Sequence, residues 1–352
     1  MKTDHVVELL ERANPVRGDR LPAFDPDEVK ASIVESRTPV RQPAPWRRRA
    51  FVAAGVAVVA AAGLILPRLA AHDRIGPSPA AAAVLQRAAE RVTAYSHGRA
   101  GKYAYTKART LYGAFDNDDP PWAALIPAVR ETWVAADGTG RVREERGKPF
   151  FLGERDRRRW LAAGSPPLRG KPVYDAELRL YRRAPAALLA SDPEELTPDQ
   201  LDAVVTDVPE LPTDPDALER VIRAYAATKD PPLESAMFVE ISDLLNSPFG
   251  SAKLNAALYR VLSRVRGVEL VGRRRDAAGR IGLAIGSPAG YGAFGRSYVI
   301  IDPRTGEVLA SEKVLTGPSP EIDGRPGDVY ESITYLDHGW TDSTGARPAN
   351  AR

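Results

Sequence analysis

Apolar positions follow different periods in different parts of this chain. Residues 50–66, AFVAAGVAVVAAAGLIL, are seventeen consecutive uncharged positions with no polar stripe. As a helix they would reach roughly 25 Å, enough to cross a thin hydrocarbon core. Such a segment, apolar or small on every face, reads as a transmembrane helix over 50–67. Helical spacing returns at Val84, Leu85, Ala88, Val92 and Tyr95 and predicts a helix over 80–95. Three further stripes occupy the middle of the chain. The first is Leu218, Val221, Ile222 and Tyr225; the second is Met237, Phe238, Ile241, Leu244 and Leu245; the third runs from Leu254 to Val265.

Between and after these helices the pattern changes to that of strands. Tyr103, Tyr105 and Lys107 share one strand, while 129–134 and 141–145 flank the hairpin turn Asp137-Gly138-Thr139-Gly140. Five more runs close the chain, at 268–274, 281–285, 297–301, 307–315 and 329–336, with turns at 276–279 and 302–306. Strands, then helices, then strands imply an α+β fold, an antiparallel sheet with helices packed on one face. The organisation expected is a partly helical or disordered tail at 1–49, the span at 50–67 and a linker at 68–79. An α+β domain at 80–340 and a disordered C-terminus at 341–352 follow.

Charge adds a direction. Arg37, Arg41, Arg47, Arg48 and Arg49 precede the span with no acid from 37 to 49, whereas Arg68 and Arg74 behind it are set against Asp73. Basic residues near a span stay cytoplasmic, so the N-terminus is expected inside and the large domain outside the cytoplasm. Arg47, Arg48, Arg49 and Phe51 form the anchor, with the arginines placed to meet anionic membrane lipids. A removed export signal is one alternative, since Arg48-Arg49-Ala50-Phe51-Val52 resembles the twin-arginine motif, although forty-six residues precede the arginine cluster. A buried core helix is the other. The net charge of +3 lies in the first 68 residues, because the remainder carries 38 basic and 38 acidic side chains. No basic face suited to nucleic acid is implied. The absence of cysteine excludes disulfides and thiolate metal sites.

The motifs offer little chemistry. Gly290-Tyr291-Gly292-Ala293-Phe294-Gly295 matches the spacing of a dinucleotide loop, but the residues after it read as a strand where that site requires a helix. His5, His72, His97 and His338 are isolated, and no nucleophile elbow occurs. The acidic stretch Asp116 to Asp119 reads as a solvated turn, and Asp156 among Arg155, Arg157, Arg158 and Arg159 as a charged surface face. Trp122, Trp133 and Trp160 read as core residues sooner than cleft residues. No catalytic, cofactor or metal residue is named, and the chain is expected not to be an enzyme.

Taken together, the layout resembles an uncharacterised family of actinobacterial single-pass membrane proteins often encoded next to sigma factors. The residues that carry the resemblance are Asp25-Pro26-Asp27-Glu28-Val29, the arginine cluster with its Ala/Val span, Tyr103-Ala104-Tyr105 and Glu131-Thr132-Trp133. Asp137-Gly138 after the latter, Leu211-Pro212-Thr213-Asp214-Pro215 opening a helix, and Tyr298-Val299-Ile300-Ile301-Asp302-Pro303 with Thr305-Gly306-Glu307 complete them. More loosely, the outer domain looks like the lipoprotein-carrier and sigma-regulator half-barrels, in which a curved antiparallel sheet wraps helices around an apolar concavity. That resemblance implies a groove holding an acyl chain or peptide, with Tyr103, Tyr105 and Trp133 as candidate lining. It also implies a regulatory protein whose residues 1–49 meet a sigma factor or another cytoplasmic partner. The chain departs from zinc-binding anti-sigma proteins in lacking cysteine and in its shorter tail. The alternative function is a membrane-tethered lipid or lipoprotein carrier, and a secreted hydrolase ranks last.

Overall fold

The computed structural model describes residues 76–94, 101–116, 121–168, 173–180, 182–229, 232–288 and 295–348. The span, the tail, the acidic loop at 117–119, His5, His72, His97 and residues 290–294 of the glycine-rich loop lie outside them. Among the described residues no helix is long and apolar enough to cross a membrane.

The fold is α+β. Helix α1 (Pro79–Ala94) leads into β1 (Tyr103–Asp116), β2 (Trp122–Ala135) and β3 (Thr139–Arg146). Helix α2 (Glu154–Ala162) precedes β4 (Val173–Arg179). Five helices follow: α3 (Ala186–Leu189), α4 (Pro198–Thr206), α5 (Pro215–Ala226), α6 (Leu233–Leu245) and α7 (Ala252–Leu262). The chain ends in β5 (Glu269–Arg275), β6 (Ile281–Gly286), β7 (Gly295–Ile301), β8 (Val308–Leu315) and β9 (Val329–Thr341). The strands form one open, curved sheet in the order β4-β3-β2-β1-β9-β8-β7-β6-β5, with every neighbouring pair antiparallel. Two meanders are thus joined by the β1–β9 pair, and the helical segment connects their outer edges.

Local chemistry explains the element ends. Gly138 (φ 82) closes the β2–β3 hairpin, and its N–H donates to the Ala135 carbonyl at 2.9 Å. Thr197 and Gln200 form a capping box on α4 with Pro198 at N1. Asp214 accepts from the Asp216 and Ala217 amides at the start of α5, and Ser251 caps α7. Pro127 sits inside the long β2 without breaking it. Pairing with β3 ends at Ala128, Leu125 then pairs with Phe150, and the missing N–H falls in the gap between these partners.

The main core lies between the helices and β5–β8. Phe238, Ile241, Leu258, Val261 and Leu262 are fully buried against Ile285, Val299 and Ile301. Each such side chain contributes about 1.5–3 kcal/mol by leaving water. A smaller cluster on the opposite face joins Leu111, Leu125, Val314, Leu315 and Ile322.

Two expectations need correction. Asp156 is not a surface charge: it is 1% exposed, and its Oδ2 accepts from the Asp323 amide at 2.8 Å. The Arg155 amide in turn donates to Asp323 Oδ2 at 2.7 Å, so α2 is stapled to the β8–β9 loop. The C-terminal residues expected to be disordered are ordered through 348. Trp133 Nε1 donates to the Ala346 carbonyl at 2.6 Å, and Arg347 Nε donates to Glu131 Oε1 at 3.0 Å. Unmet polar groups on the sheet give this segment a place to dock.

Candidate functional site

Helices α1 and α4–α7 pack on β5–β8, while α2 lies against β2; a gap remains between the α4–α6 side and β1, β2 and β9. The reason lies in the α6–α7 turn. Asn246 ends α6, and its Nδ2 donates to Ser311 Oγ on β8 at 2.9 Å, holding the helix end over that strand. Beside it opens a groove of about 460 Å³, within the roughly 300–1,000 Å³ of small-molecule sites.

The sheet side of the groove follows from strand alternation. Thr106, Ala108 and Thr110 of β1 face it together with Arg130, Thr132 and Val134 of β2 and Ile333 and Tyr335 of β9. The register places Thr106 opposite Thr132, Ala108 opposite Tyr335 and Thr110 opposite Ile333. On the helix side lie Val205 and Thr206 of α4, Tyr225 of α5, Glu240, Asp243 and Leu244 of α6, and Ser247, Pro248 and Phe249 beyond it. Leu180 and Val208 complete an apolar lining.

Two carboxylates break that lining. Glu240 and Asp243 are one turn apart on α6 and share one side of the helix. Neither has a hydrogen-bond or ion-pair partner among the described residues. Burial, reinforced by Asp243, raises the Glu240 carboxyl to about 7; burial raises Asp243 to about 6. Asp243 is exposed at the edge of the groove, so solvent reaches its carboxylate and moderates that rise, whereas Glu240 is the more enclosed of the two. Burial also pushes Tyr335 upward. Thr110 Oγ1 and Asn246 Oδ1 are shielded from water and without a partner among the described residues.

The aromatic residues singled out from the sequence are not in this groove. Tyr105 and Trp133 pair across β1–β2 on the opposite face, with ring centroids 5.4 Å apart, and are 1% and 2% exposed. Tyr103, half-buried, shares their side of β1 and lies against Lys102. The Tyr105 hydroxyl donates to Glu131 Oε1 at 2.7 Å, which Arg347 also approaches. Burial alone would raise the Glu131 carboxyl, but the hydrogen bonds from Tyr105 and Arg347 hold it below the usual range. Trp160 donates to the Pro166 carbonyl at 2.9 Å, and Trp122 is buried. Exposed His338 lies 3.3 Å from Glu307. Among the described residues no group of three or more potential metal ligands occurs. Glu240 and Asp243 were missed because the α6 stripe was read from its apolar members alone. The available signal was a pair of acids at i and i+3 inside Leu233–Leu245.

A second, smaller pocket of about 300 Å³ lies between α1 and the β7–β8 turn, lined by Val84, Ala88, Leu283 and Ile301 with Arg87, Arg91 and Arg304. Gly306 (φ +78) turns there within 2.6 Å, by the position a Cβ would take, of the Ala88 carbonyl.

No family model and no curated protein matches the chain. Among solved structures, MucB in complex with MucA(peri) is similar at a TM-score of 0.25 and 13% identity, covering 77% of this chain and 57% of that one. The MucA/MucB complex of Pseudomonas aeruginosa matches at a TM-score of 0.23 and 14% identity, covering 77% and 59%. MucB alone matches at 0.22 and 14%, covering 78% and 62%. The chain thus spans less than two thirds of the length of these structures. These are distant likenesses.

Proposed function

We propose that this is a single-pass membrane protein with a cytoplasmic N-terminus, whose outer domain senses an apolar ligand in the groove between β1, β2, β9 and the helices. The observation that carries the reading is a largely apolar concavity of about 460 Å³ left between the sheet and its own helices. Binding, not catalysis, is the role proposed.

The regulatory part rests on the sequence. Arginines before residues 50–66 favour an inside N-terminus, and the resemblance to the sigma-factor-associated family suggests that residues 1–49 meet a sigma factor or another cytoplasmic partner. The outer ligand would change the availability of that tail by altering association or proteolysis. The second reading, a tethered lipid or lipoprotein carrier, is favoured by the same apolar groove and needs no tail partner.

Full-length protein extracted with its surrounding lipid, compared with Ala108→Trp, tests the groove by mass spectrometry of what co-purifies. The wild type should retain an apolar ligand that the variant loses; identical contents in both would overturn the binding role. Cross-linking from residues 1–49 in cells then separates the readings. A sigma-factor adduct supports regulation, and adducts to none support a carrier.

A further inference from the structure

The groove has a sign as well as a shape. Glu240 and Asp243 project from α6 into an apolar space opposite threonines and Tyr335, without a cation in contact among the described residues. We propose, building on the apolar-binding role above, that the groove is selective for an amphiphile whose single alkyl chain carries a primary ammonium head. The chain would lie on Ala108, Val134 and Ile333, and the head would sit between the two carboxylates.

Charge complementarity argues for this occupant over a fatty-acid anion. The groups that face the pair are Asp202 of α4, Tyr225 of α5 with Lys229 just beyond it, Lys313 of β8, Glu331 and Tyr335 of β9, and Arg130 of β2. Most of the cations among them are already engaged. Lys229 Nζ lies 3.9 Å from the centre of the Tyr225 ring, and Lys313 pairs with Glu331 at 2.9 Å. Tyr225 itself donates to Asp202 at 2.9 Å. Arg130 is exposed, as is Asp243, so solvent screens both, and the more enclosed Glu240 dominates the sign of the groove. An entering anion would therefore meet two unpaired carboxylates. An ammonium would supply N–H donors to both, and Thr110 Oγ1 and Asn246 Oδ1 add oxygens that can accept. The volume suits a small molecule, not a folded segment of protein.

Glu240 resists ionisation while no cation is present, since burial and the neighbouring Asp243 raise it, and the exposed Asp243 is raised with solvent moderating the effect. Ammonium binding should therefore strengthen as the pair deprotonates between about pH 5 and 8, with proton release on binding at the acid end of that range.

The test uses full-length protein in lipid nanodiscs and three photoreactive twelve-carbon probes: an amine, a carboxylic acid and an alcohol. Labelling is read on the peptides containing Val134 and Ile333. At pH 8 the amine should label them at least about tenfold more than the acid, a ratio set by one charge-assisted contact. At pH 5 that preference should fall several-fold. Glu240→Gln combined with Asp243→Asn should abolish the preference while leaving alcohol labelling intact, which reports that the groove is still formed. Equal labelling by amine and acid in the wild type, or a preference that survives the double substitution, overturns the ammonium selectivity alone. Absence of labelling by all three probes overturns the apolar-binding role as well.

Discussion

The β1–β2 pair presents two faces built from alternate residues of the same segments, and they are managed in opposite ways. On one face Tyr105, Glu131, Trp133 and Arg347 satisfy one another: a hydroxyl and a guanidinium share one carboxylate, and the indole N–H meets a carbonyl. On the other, Thr106, Ala108, Thr110, Thr132 and Val134 look into the groove with Glu240 and Asp243 unpaired above them. A period of two lets one strand serve both ends. Large aromatic residues seal the first face, and small side chains leave room on the second.

The most damaging way to break the contrast is to empty the sealed face. Trp133→Ala removes a side chain that is 2% exposed and the anchor of the C-terminal segment. The expected loss is about 3–5 kcal/mol of unfolding free energy, read as a lowered midpoint in urea. A loss below about 1 kcal/mol would mean that this face is not the sealed one.

Arg347→Ala is the milder version. It leaves Glu131 with Tyr105 alone and should cost about 1–3 kcal/mol at neutral pH. The pH dependence has a definite sign. Glu131 is held below its ordinary range, so the stability it contributes is present above the unfolded carboxylate value and disappears as pH falls through the folded one. Arg347→Ala should shrink that acid-side loss, which chemical denaturation at pH 7 and pH 3 measures. An unchanged acid slope would remove Arg347 from the network.

The groove face should respond with the opposite sign. Glu240 is raised to about 7 from 4.5 by burial and by Asp243. A raised carboxyl gives stability that is complete below its unfolded value and is lost as pH rises through its folded one. Glu240→Gln should thus increase stability at pH 8, by on the order of 1 kcal/mol after allowing for the solvent that reaches the groove. It should also flatten the dependence between about pH 4.5 and 7. Destabilisation at pH 8 would mean that Glu240 has a partner in the folded protein.

The contrast also explains what could be read from the residues in order. Periodicity located α1 and α5–α7, whose apolar stripes face the core, and the later strands and turns. It missed β4, whose Asp175, Glu177 and Arg179 suit an edge strand with little apolar burial. It shortened β1 and β2, because the run from Trp122 to Ala128 is apolar on both faces and contains Pro127. The Thr197-Pro198-Asp199-Gln200 cap of α4 was legible and went unused. The face occupied by Tyr105 and Trp133 was a different kind of difficulty. Alternation groups residues by side, but which side receives the helices depends on chain more than sixty residues away. The groove itself is set by where α6 ends over β8, a tertiary fact with no local signature.

The smallest expected effect is the sharpest probe of the groove face. Thr110 Oγ1 is shielded from water and has no partner among the described residues, so the folded state bears the cost of dehydrating a hydroxyl without return. Val has nearly the same shape and removes that group. Thr110→Val should therefore stabilise the protein by up to about 1 kcal/mol, where the same exchange at a hydrogen-bonded threonine would destabilise it. In the presence of an amine amphiphile the gain should diminish, because the ligand would lose an acceptor in the variant that it has in the wild type. Melting curves with and without dodecylamine measure both quantities. A gain that is identical in the two conditions would leave Thr110 as an unsatisfied wall residue and move the head of the ligand toward Glu240 and Asp243 alone.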